Sequence, residues 1–180
     1  MGARNGPEMG EYVMKQSVKK LAILCAAGIA LAAPSGAIAQ ATAKPFVVYS
    51  NGLQNGWQNW SWAKVGLDFD AGKIHAIQVE GDAWSALLLH HDAFSTAGYT
   101  KLVFFINGGI DGGQSLSIKA FADGKPIEAN FQIKPKIKTW TKVEVPLKDI
   151  SANDRSIDSI VIQGGGEPYK PYYIAEIEFE

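Results

Sequence analysis

Apolar residues alternate with polar ones through most of this chain, and this alternation restricts it to β structure. The segments 64–70, 115–120, 141–147 and 173–179 carry apolar residues at every second position, as half-buried strands do. Gly, Asp, Asn and Pro lie between such segments, and no apolar pattern of helical period exceeds a turn or two. The chain is therefore predicted to be all-β, with about ten short strands in a two-sheet antiparallel sandwich or a barrel.

The first 39 residues have a different composition. Basic residues at 15–20 precede an apolar run at 21–33, and Ala37-Ile38-Ala39 has the small-x-small form of a cleavage site. We predict a signal peptide that is cleaved after Ala39, with Met14 as the true start. The apolar run is shorter than the roughly twenty residues that span a bilayer, so we expect a secreted or periplasmic protein without a membrane span.

Residues 40–180 are predicted to form one domain. The single cysteine, Cys25, precedes them, so disulfides and thiol chemistry are excluded from this part. They contain 13 basic and 16 acidic residues. A small negative net charge argues against nucleic acid or an anionic membrane as the partner, and the oligomeric state stays open.

Three of the five tryptophans lie within the segment Gly56–Trp62. If this segment is extended, Trp60 and Trp62 share one face with Gln58, and Trp57 lies on the other. Indole rings stack on the C–H face of a pyranose, and the neighbouring amides hydrogen-bond its hydroxyls. The same tryptophans could instead fill the core, each donating its indole N–H to a carbonyl.

Further aromatic candidates follow along the chain. Trp84 and His90 lie on one face of a predicted strand and could line a shallow groove. Tyr169 and Tyr172 follow three consecutive glycines, which tolerate positive φ and close backbone approach. These tyrosines are either sugar contacts on a surface loop or part of the sandwich.

No pattern in the sequence predicts a metal or catalytic centre. His90 and His91 are adjacent, so in a strand they point to opposite faces and cannot readily bind one ion. No Gly-x-Ser-x-Gly motif is present, and no pair of carboxylates is distinguished from the general scatter of Asp and Glu. We therefore predict a protein that is not an enzyme.

Several motifs resemble the jelly-roll carbohydrate-binding modules attached to secreted glycoside hydrolases, which belong to the galactose-binding-like β-sandwiches. The resemblance runs from about Phe46 to Phe179 and rests on the following segments: 48–53, 56–62, 88–91, 139–147 and 173–177. It implies a jelly-roll sandwich that binds a polysaccharide, such as a β-linked glucan. Its implied contacts are Trp57, Trp60, Trp62 and Trp84, with His90, Tyr169 and Tyr172 as secondary ones.

Related modules often hold a structural calcium through carboxylates in their first and last strands. This chain has Ser50-Asn51 and Ala175-Glu176 at those places. Because calcium prefers several carboxylate ligands, we expect that this protein lacks the ion and has no cofactor.

Two alternatives to carbohydrate binding remain. A structural or adhesive protein could use the same sandwich to hold a protein partner, in which case the tryptophans would be buried. A small polysaccharide lyase or hydrolase would need His90 or His91 to converge with a Tyr, a Lys or a carboxylate in one cleft.

Overall fold

The computed structural model describes residues 44–180, which fold into two antiparallel sheets. The predicted signal peptide, the start at Met14 and the cleavage after Ala39 lie outside the described residues. Twelve strands and one 3₁₀ helix are found in the described part, so the prediction of an all-β, two-sheet antiparallel sandwich is confirmed.

Sheet A has the strand order β10-β6-β12-β4-β3, and β1 pairs with the far end of the long strand β12. Its strands are β1 (Phe46–Tyr49), β3 (Lys64–Asp70), β4 (His75–Gly81), β6 (Lys101–Asn107), β10 (Thr141–Pro146) and β12 (Tyr169–Phe179). Strand β10 leads directly into the 3₁₀ helix Leu147–Ile150, which buries Leu147 and Ile150.

Sheet B has the strand order β2-β5-β11-β7-β8, and β9 also pairs with β7. Its strands are β2 (Gln58–Asn59), β5 (Ala86–Ser95), β7 (Leu116–Ala122), β8 (Lys125–Pro126), β9 (Phe131–Ile133) and β11 (Ser156–Gly164). The three long strands β5, β11 and β7 form a continuous surface, and the two-residue strand β2 lies at its edge.

The core lies between the sheets and follows from the alternation in the sequence. On β5, Leu87 and Leu89 are almost fully buried in it, and so are Ile160 and Ile162 on β11. Between them, Leu88 and Val161 lie on the outer side of sheet B, where they are buried in a second, smaller cluster with Ala86. The core therefore fixes which side chains of sheet B are presented on its outer face.

No helix in the described residues is long and apolar enough to cross a membrane.

Candidate functional site

The segment Gly56–Trp62 extends the edge of sheet B along strand β5. Gln58 is paired with His90, the Trp60 amide donates to the Leu88 carbonyl at 3.0 Å, and the Trp62 amide donates to the Ala86 carbonyl at 3.2 Å. Residues 58–60 are therefore extended, which meets the condition set in the sequence analysis, and alternate side chains point to opposite sides.

The inward side of this segment belongs to the scaffold. Trp57 is only 4% exposed, and its ring lies 6.2 Å from those of Phe94 and Phe179. The prediction that Trp57 contacts a sugar is wrong, because the core covers its indole. Its Nε1 also has no hydrogen-bond partner in the described part of the chain, contrary to what we expect of a buried tryptophan.

Ser61, which also points inward, ties the segment to β5. Its Oγ accepts a hydrogen bond from the Leu88 amide at 2.9 Å and donates to Asn59 Oδ1 at 2.5 Å. Asn59 and Ser61 therefore hold the strand edge in place, although Asn59 itself is exposed there.

The outward side of the segment is exposed. Trp60 is 56% exposed and Trp62 is 51% exposed. The Trp60 ring lies flat on the His90 ring, with 3.6 Å between centroids and 17° between planes. Its Nε1 donates to Gln58 Oε1 at 3.0 Å. Stacking on one side and a hydrogen bond at the edge orient this indole.

Trp84 lies just before β5 and is 62% exposed. Its φ of 65° is unusual for a bulky residue. Three hydrogen bonds hold this backbone: the Trp84 amide donates to the Gly165 carbonyl at 2.8 Å, and the Trp84 carbonyl accepts from Trp62 Nε1 at 2.9 Å and from Gln163 Nε2 at 3.0 Å. The Trp62 indole thereby helps to hold the backbone that carries Trp84.

The strand register arranges the outer face of sheet B in rows, and we call this surface the Trp face. The first row is Trp62, Ala86, Gln163 and Ser117; the second is Trp60, Leu88, Val161 and Lys119; the third is Gln58, His90, Ser159 and Phe121. Successive rows are about 7 Å apart, because alternate residues of a strand have that spacing. Trp60 and Trp62 are thus neighbours along one edge of an elongated surface.

A cleft of about 190 Å³ adjoins Trp84 on the Trp face. Ser117, Lys119 and Gln163 line it together with Asn130 and Gln132, and Lys119 Nζ donates to Gln163 Oε1 at 3.0 Å. The sequence alone did not single out these polar groups. Ser117 and Lys119 occupy polar positions of the alternating strand β7, but these positions point to a site only once β7 is known to lie beside β11 and β9.

A second cleft, of about 410 Å³, adjoins Trp62 at the border between the sheets. Its charged lining residues are Lys64, Glu80, Asp82 and Lys170, and Lys64 forms an ion pair with Glu80. Trp62 and Trp84 therefore each have polar groups within reach of a ring stacked on the indole.

Of the two tyrosines predicted as secondary contacts, Tyr172 is fully buried in the core. That prediction is wrong, because Tyr172 occupies an inward position of β12. Tyr169 is half-buried and lines the cleft beside Trp62, but its hydroxyl donates to the Ser85 carbonyl at 3.2 Å. Burial raises the pKa of Tyr169 to about 12 and that of Tyr172 well above its ordinary value.

The three glycines before Tyr169 adopt negative φ, so the backbone conformation does not require glycine at these positions. At Gly164 and Gly166 the reason for glycine is instead an aromatic ring close to where a Cβ would lie. A Cβ on Gly164 would lie 2.2 Å from Tyr169 Cε1, and one on Gly166 would lie 3.3 Å from Trp84 Cζ2. Gly164 and Gly166 thus make room for the two aromatic rings.

The two adjacent histidines point to opposite sides. His90 stacks on Trp60 and lies 3.3 Å from Ser159 Oγ, whereas His91 packs against Trp57 and its Nε2 lies 2.9 Å from the Asn55 carbonyl. Neither lines a cleft with a carboxylate among the clefts described above. Within residues 44–180, no three His, Cys, Asp or Glu side chains are grouped so as to hold a metal ion.

The segments considered for calcium are close in the fold, because β1 pairs with β12. Asn51 Oδ1 accepts a hydrogen bond from the His75 amide at 3.3 Å. In this chain the Asn51 side chain therefore joins the segment after β1 to the start of β4.

No family model matches this chain. Among solved structures, a point mutant of a family 29 carbohydrate-binding module superimposes with a TM-score of 0.59 and 19% identity, over 77% of this chain and 92% of that one. Another point mutant, complexed with mannohexaose, superimposes with a TM-score of 0.58 and 18% identity, over 76% of this chain and 90% of that one. A third, complexed with cellulohexaose, superimposes with a TM-score of 0.56 and 18% identity, over 76% of this chain and 89% of that one. The chain has the jelly-roll fold of carbohydrate-binding modules. The predicted resemblance is confirmed at the level of the fold.

A curated relative adds sequence similarity. The chain is 30% identical over 150 residues to an endoglucanase of Dictyostelium discoideum, in an alignment that covers 72% of this chain and 20% of the endoglucanase. The chain thus spans about a fifth of the length of this relative.

Proposed function

We propose that this protein is a carbohydrate-binding module that holds a polysaccharide on the Trp face without cleaving it. The observation that carries the proposal is the exposure of Trp60, Trp62 and Trp84, each more than half accessible on one side of the sandwich. A monomeric protein rarely leaves several large apolar side chains together in solvent unless they meet a ligand.

The chemistry of the face suits a sugar chain. Each indole offers a flat apolar surface, and covering one with a pyranose contributes about 1 to 3 kcal/mol. Because hydrogen bonds and the His90 stack already orient the rings, less conformational entropy is lost on binding. Each row of the Trp face also contains a polar side chain that can hydrogen-bond hydroxyls at the edge of the sugar. These side chains are Gln163, Lys119 and Gln58.

Ligands of similar modules support a proposal for the class of sugar. The module complexes named above contain mannohexaose and cellulohexaose, and the curated relative is an endoglucanase. For this chain we infer a β-linked glucan or mannan lying across the exposed indoles.

We also infer that residues 1–39 direct export to the periplasm or the exterior and that residues 40–180 act as one domain. We infer that the protein binds the polysaccharide without hydrolysing it, as is expected of a chain with the fold of carbohydrate-binding modules. Burial of all five tryptophans would have favoured the structural or adhesive alternative, and three of them are exposed.

The binding test uses the full chain as it is exported. We expect retention on insoluble cellulose or mannan and binding of cellohexaose or mannohexaose in calorimetry. Trp60→Ala and Trp84→Ala should each weaken binding by about tenfold or more, the equivalent of at least 1.4 kcal/mol. Phe105→Ala is the matched control, since Phe105 is an exposed aromatic residue of sheet A. No retention on any of a panel of polysaccharides would overturn the proposal.

Export is tested separately by the mass of the protein recovered from periplasm or medium. Cleavage after Ala39 gives a chain that begins at Gln40. Recovery of a chain that still contains the residues before Gln40 would contradict this part of the proposal alone.

A further inference from the structure

The outer face of sheet A carries a second aromatic cleft, on the opposite side of the sandwich from the Trp face. We call it the Tyr173 cleft; its volume is about 310 Å³, and Phe69, Asn107, Ile110, Lys138, Trp140 and Tyr173 line it. Tyr173 lies between the buried Tyr172 and Ile174 on β12, so its ring must point outward.

The aromatic wall of the cleft comes from strands that are not neighbours. The rings of Phe69 and Tyr173 are 4.4 Å apart at their centroids and inclined by 39°. Strand β4 lies between their strands and carries the small, fully buried Ala76 opposite Phe69. Trp140 is half-buried immediately before β10, and Ile110 is 68% exposed at the rim. Together they offer an apolar surface to a flat ring.

The polar groups of the cleft are mainly hydrogen-bond donors. Asn107 Oδ1 already accepts from the Gly109 amide at 2.9 Å, which leaves the Asn107 NH₂ group as the part able to bind a ligand. The Tyr173 hydroxyl accepts from Gln78 Nε2 at 3.4 Å, so its hydrogen can still be donated. The Lys138 amide donates to the Gly109 carbonyl at 2.8 Å, which fixes the backbone that carries the ammonium group.

Charge distinguishes this cleft from the one beside Trp62. Among the described residues, Lys138 is the single charged one that lines it, and no carboxylate does. Lys138 has no ion-pair partner among residues 44–180. An apolar surface for a sugar ring, hydroxyl and amide donors, and an unpaired cation complement a sugar that carries a negative charge.

We propose that the Tyr173 cleft binds a glycan that carries carboxylates, such as a polyuronate. The cleft and the Trp face lie on opposite outer surfaces, because the core separates the two sheets. The protein can therefore hold an acidic polysaccharide on one side and a neutral one on the other. This proposal does not depend on which ligand the Trp face takes.

The experiment is affinity electrophoresis of the full exported chain in gels containing polygalacturonate. Fully methyl-esterified polygalacturonate is the matched probe, because it keeps the sugar backbone and loses the charge. We expect retardation by the acidic polymer, a decrease of about tenfold in affinity for Trp140→Ala, and about threefold for Lys138→Gln. Added salt should weaken binding, because it screens an exposed charge.

Two control variants separate this site from others. Lys148→Gln removes an exposed lysine of the 3₁₀ helix and should leave retardation unchanged. Trp60→Ala should weaken cellohexaose binding by about tenfold or more and leave polygalacturonate binding unchanged. Lys138→Gln changes only an exposed side chain, so its result stands even if Trp140→Ala fails to fold.

Three results would overturn the proposal. They are no retardation by polygalacturonate, equal retardation by the esterified polymer, and retardation that neither Trp140→Ala nor Lys138→Gln reduces. Failure of the Trp face to bind any neutral polysaccharide would leave the result for the Tyr173 cleft unaffected.

Discussion

The two sides of the segment Gly56–Trp62 differ in what they contact, although residues of the same kind occur on both. Trp57, on the inward side, is 4% exposed, whereas Trp60 and Trp62, on the outward side, are 56% and 51% exposed. The inward side joins the segment to the core and to β5. The outward side presents two oriented rings to solvent.

This difference shows that clustering of tryptophans in a sequence does not measure the size of a binding surface. The position of each residue relative to the pleat decides whether its indole stabilises the fold or remains available to a ligand. Aromatic residues of this chain therefore divide into scaffold residues, such as Trp57 and Tyr172, and presented ones, such as Trp60 and Trp84. Substitutions should separate the two groups by their effects on stability and on binding.

The largest effect is expected from Trp57→Ala. Truncation of a buried aromatic side chain leaves a cavity, and it should lower the free energy of unfolding by about 3 to 5 kcal/mol. Urea unfolding monitored by circular dichroism measures this change. Trp60→Ala is the matched substitution on the outward side and should cost less than about 1 kcal/mol, as surface changes generally do.

Trp57→Phe provides a finer control. It retains an aromatic ring and removes the buried Nε1, which has no hydrogen-bond partner in the described residues. We expect it to be clearly more stable than Trp57→Ala, because the retained ring leaves a much smaller cavity. Relative to the parent, removal of the unsatisfied buried N–H should offset part of the loss, since such a group costs about 1 to 3 kcal/mol. Equal losses for Trp57→Ala and Trp60→Ala would contradict the division between the two sides.

The next effect is expected from Gly164→Ala. The added Cβ would lie 2.2 Å from Tyr169 Cε1 and 2.6 Å from Cδ1, so the Tyr169 ring must move away from the Ser85 carbonyl. Overpacking of this kind costs about 1 to 3 kcal/mol, to be measured as a lower free energy of unfolding. Gly165→Ala is the control, since its nearest neighbours would be at an ordinary 3.6 Å. Similar stability of the two variants would show that Tyr169 is not part of the scaffold.

The sequence predicts the fold better than the site, and the reason is physical. Alternation fixes which residues of a strand share a side, so the sequence alone separates Trp57 from Trp60 and Trp62. It does not show which side is buried. That depends on the partner sheet, and local sequence carries little information about it.

Tyr172 and Lys119 illustrate what the sequence left out. Tyr172 follows two prolines and resembles a loop residue, yet β12 begins at Tyr169 and carries it into the core. Lys119 reaches the Trp face because β7 pairs with β11, which in turn pairs with β5. Long-range pairing of this kind is visible only in the folded chain.

A smaller effect is expected from Ser61→Ala, and it tests how the inward side supports the outward one. The substitution removes the acceptor of the Leu88 amide, which should cost about 1 kcal/mol of stability. Affinity for cellohexaose should fall severalfold, because Trp60 and Trp62 are then held less firmly. Ser61→Thr keeps the hydroxyl and should bind nearly as the parent does. Unchanged affinity in Ser61→Ala would mean that the two sides act independently.

The smallest effect on stability at neutral pH is expected from Tyr169→Phe. The effect of this substitution should appear only at alkaline pH. The pKa of Tyr169 is raised from 10.0 to about 12, chiefly by burial. In the unfolded chain the phenol loses its proton near pH 10, so between pH 10 and 12 the unfolded state binds fewer protons than the folded one. Stability is therefore complete below pH 10 and falls as the pH rises toward 12.

Urea unfolding at a series of pH values from 8 to 11.5 measures this decline. Tyr169→Phe should make the slope above pH 10 shallower, because it removes one of the phenols that must stay neutral in the folded state. The slope should not vanish, since the pKa of the buried Tyr172 is also raised and that of Tyr49 is raised to about 12. The Ser85 carbonyl keeps a donor in this variant, the Gly164 amide at 2.9 Å, so stability at pH 8 should change little. A slope identical to that of the parent would place Tyr169 among the presented aromatic residues instead of the scaffold.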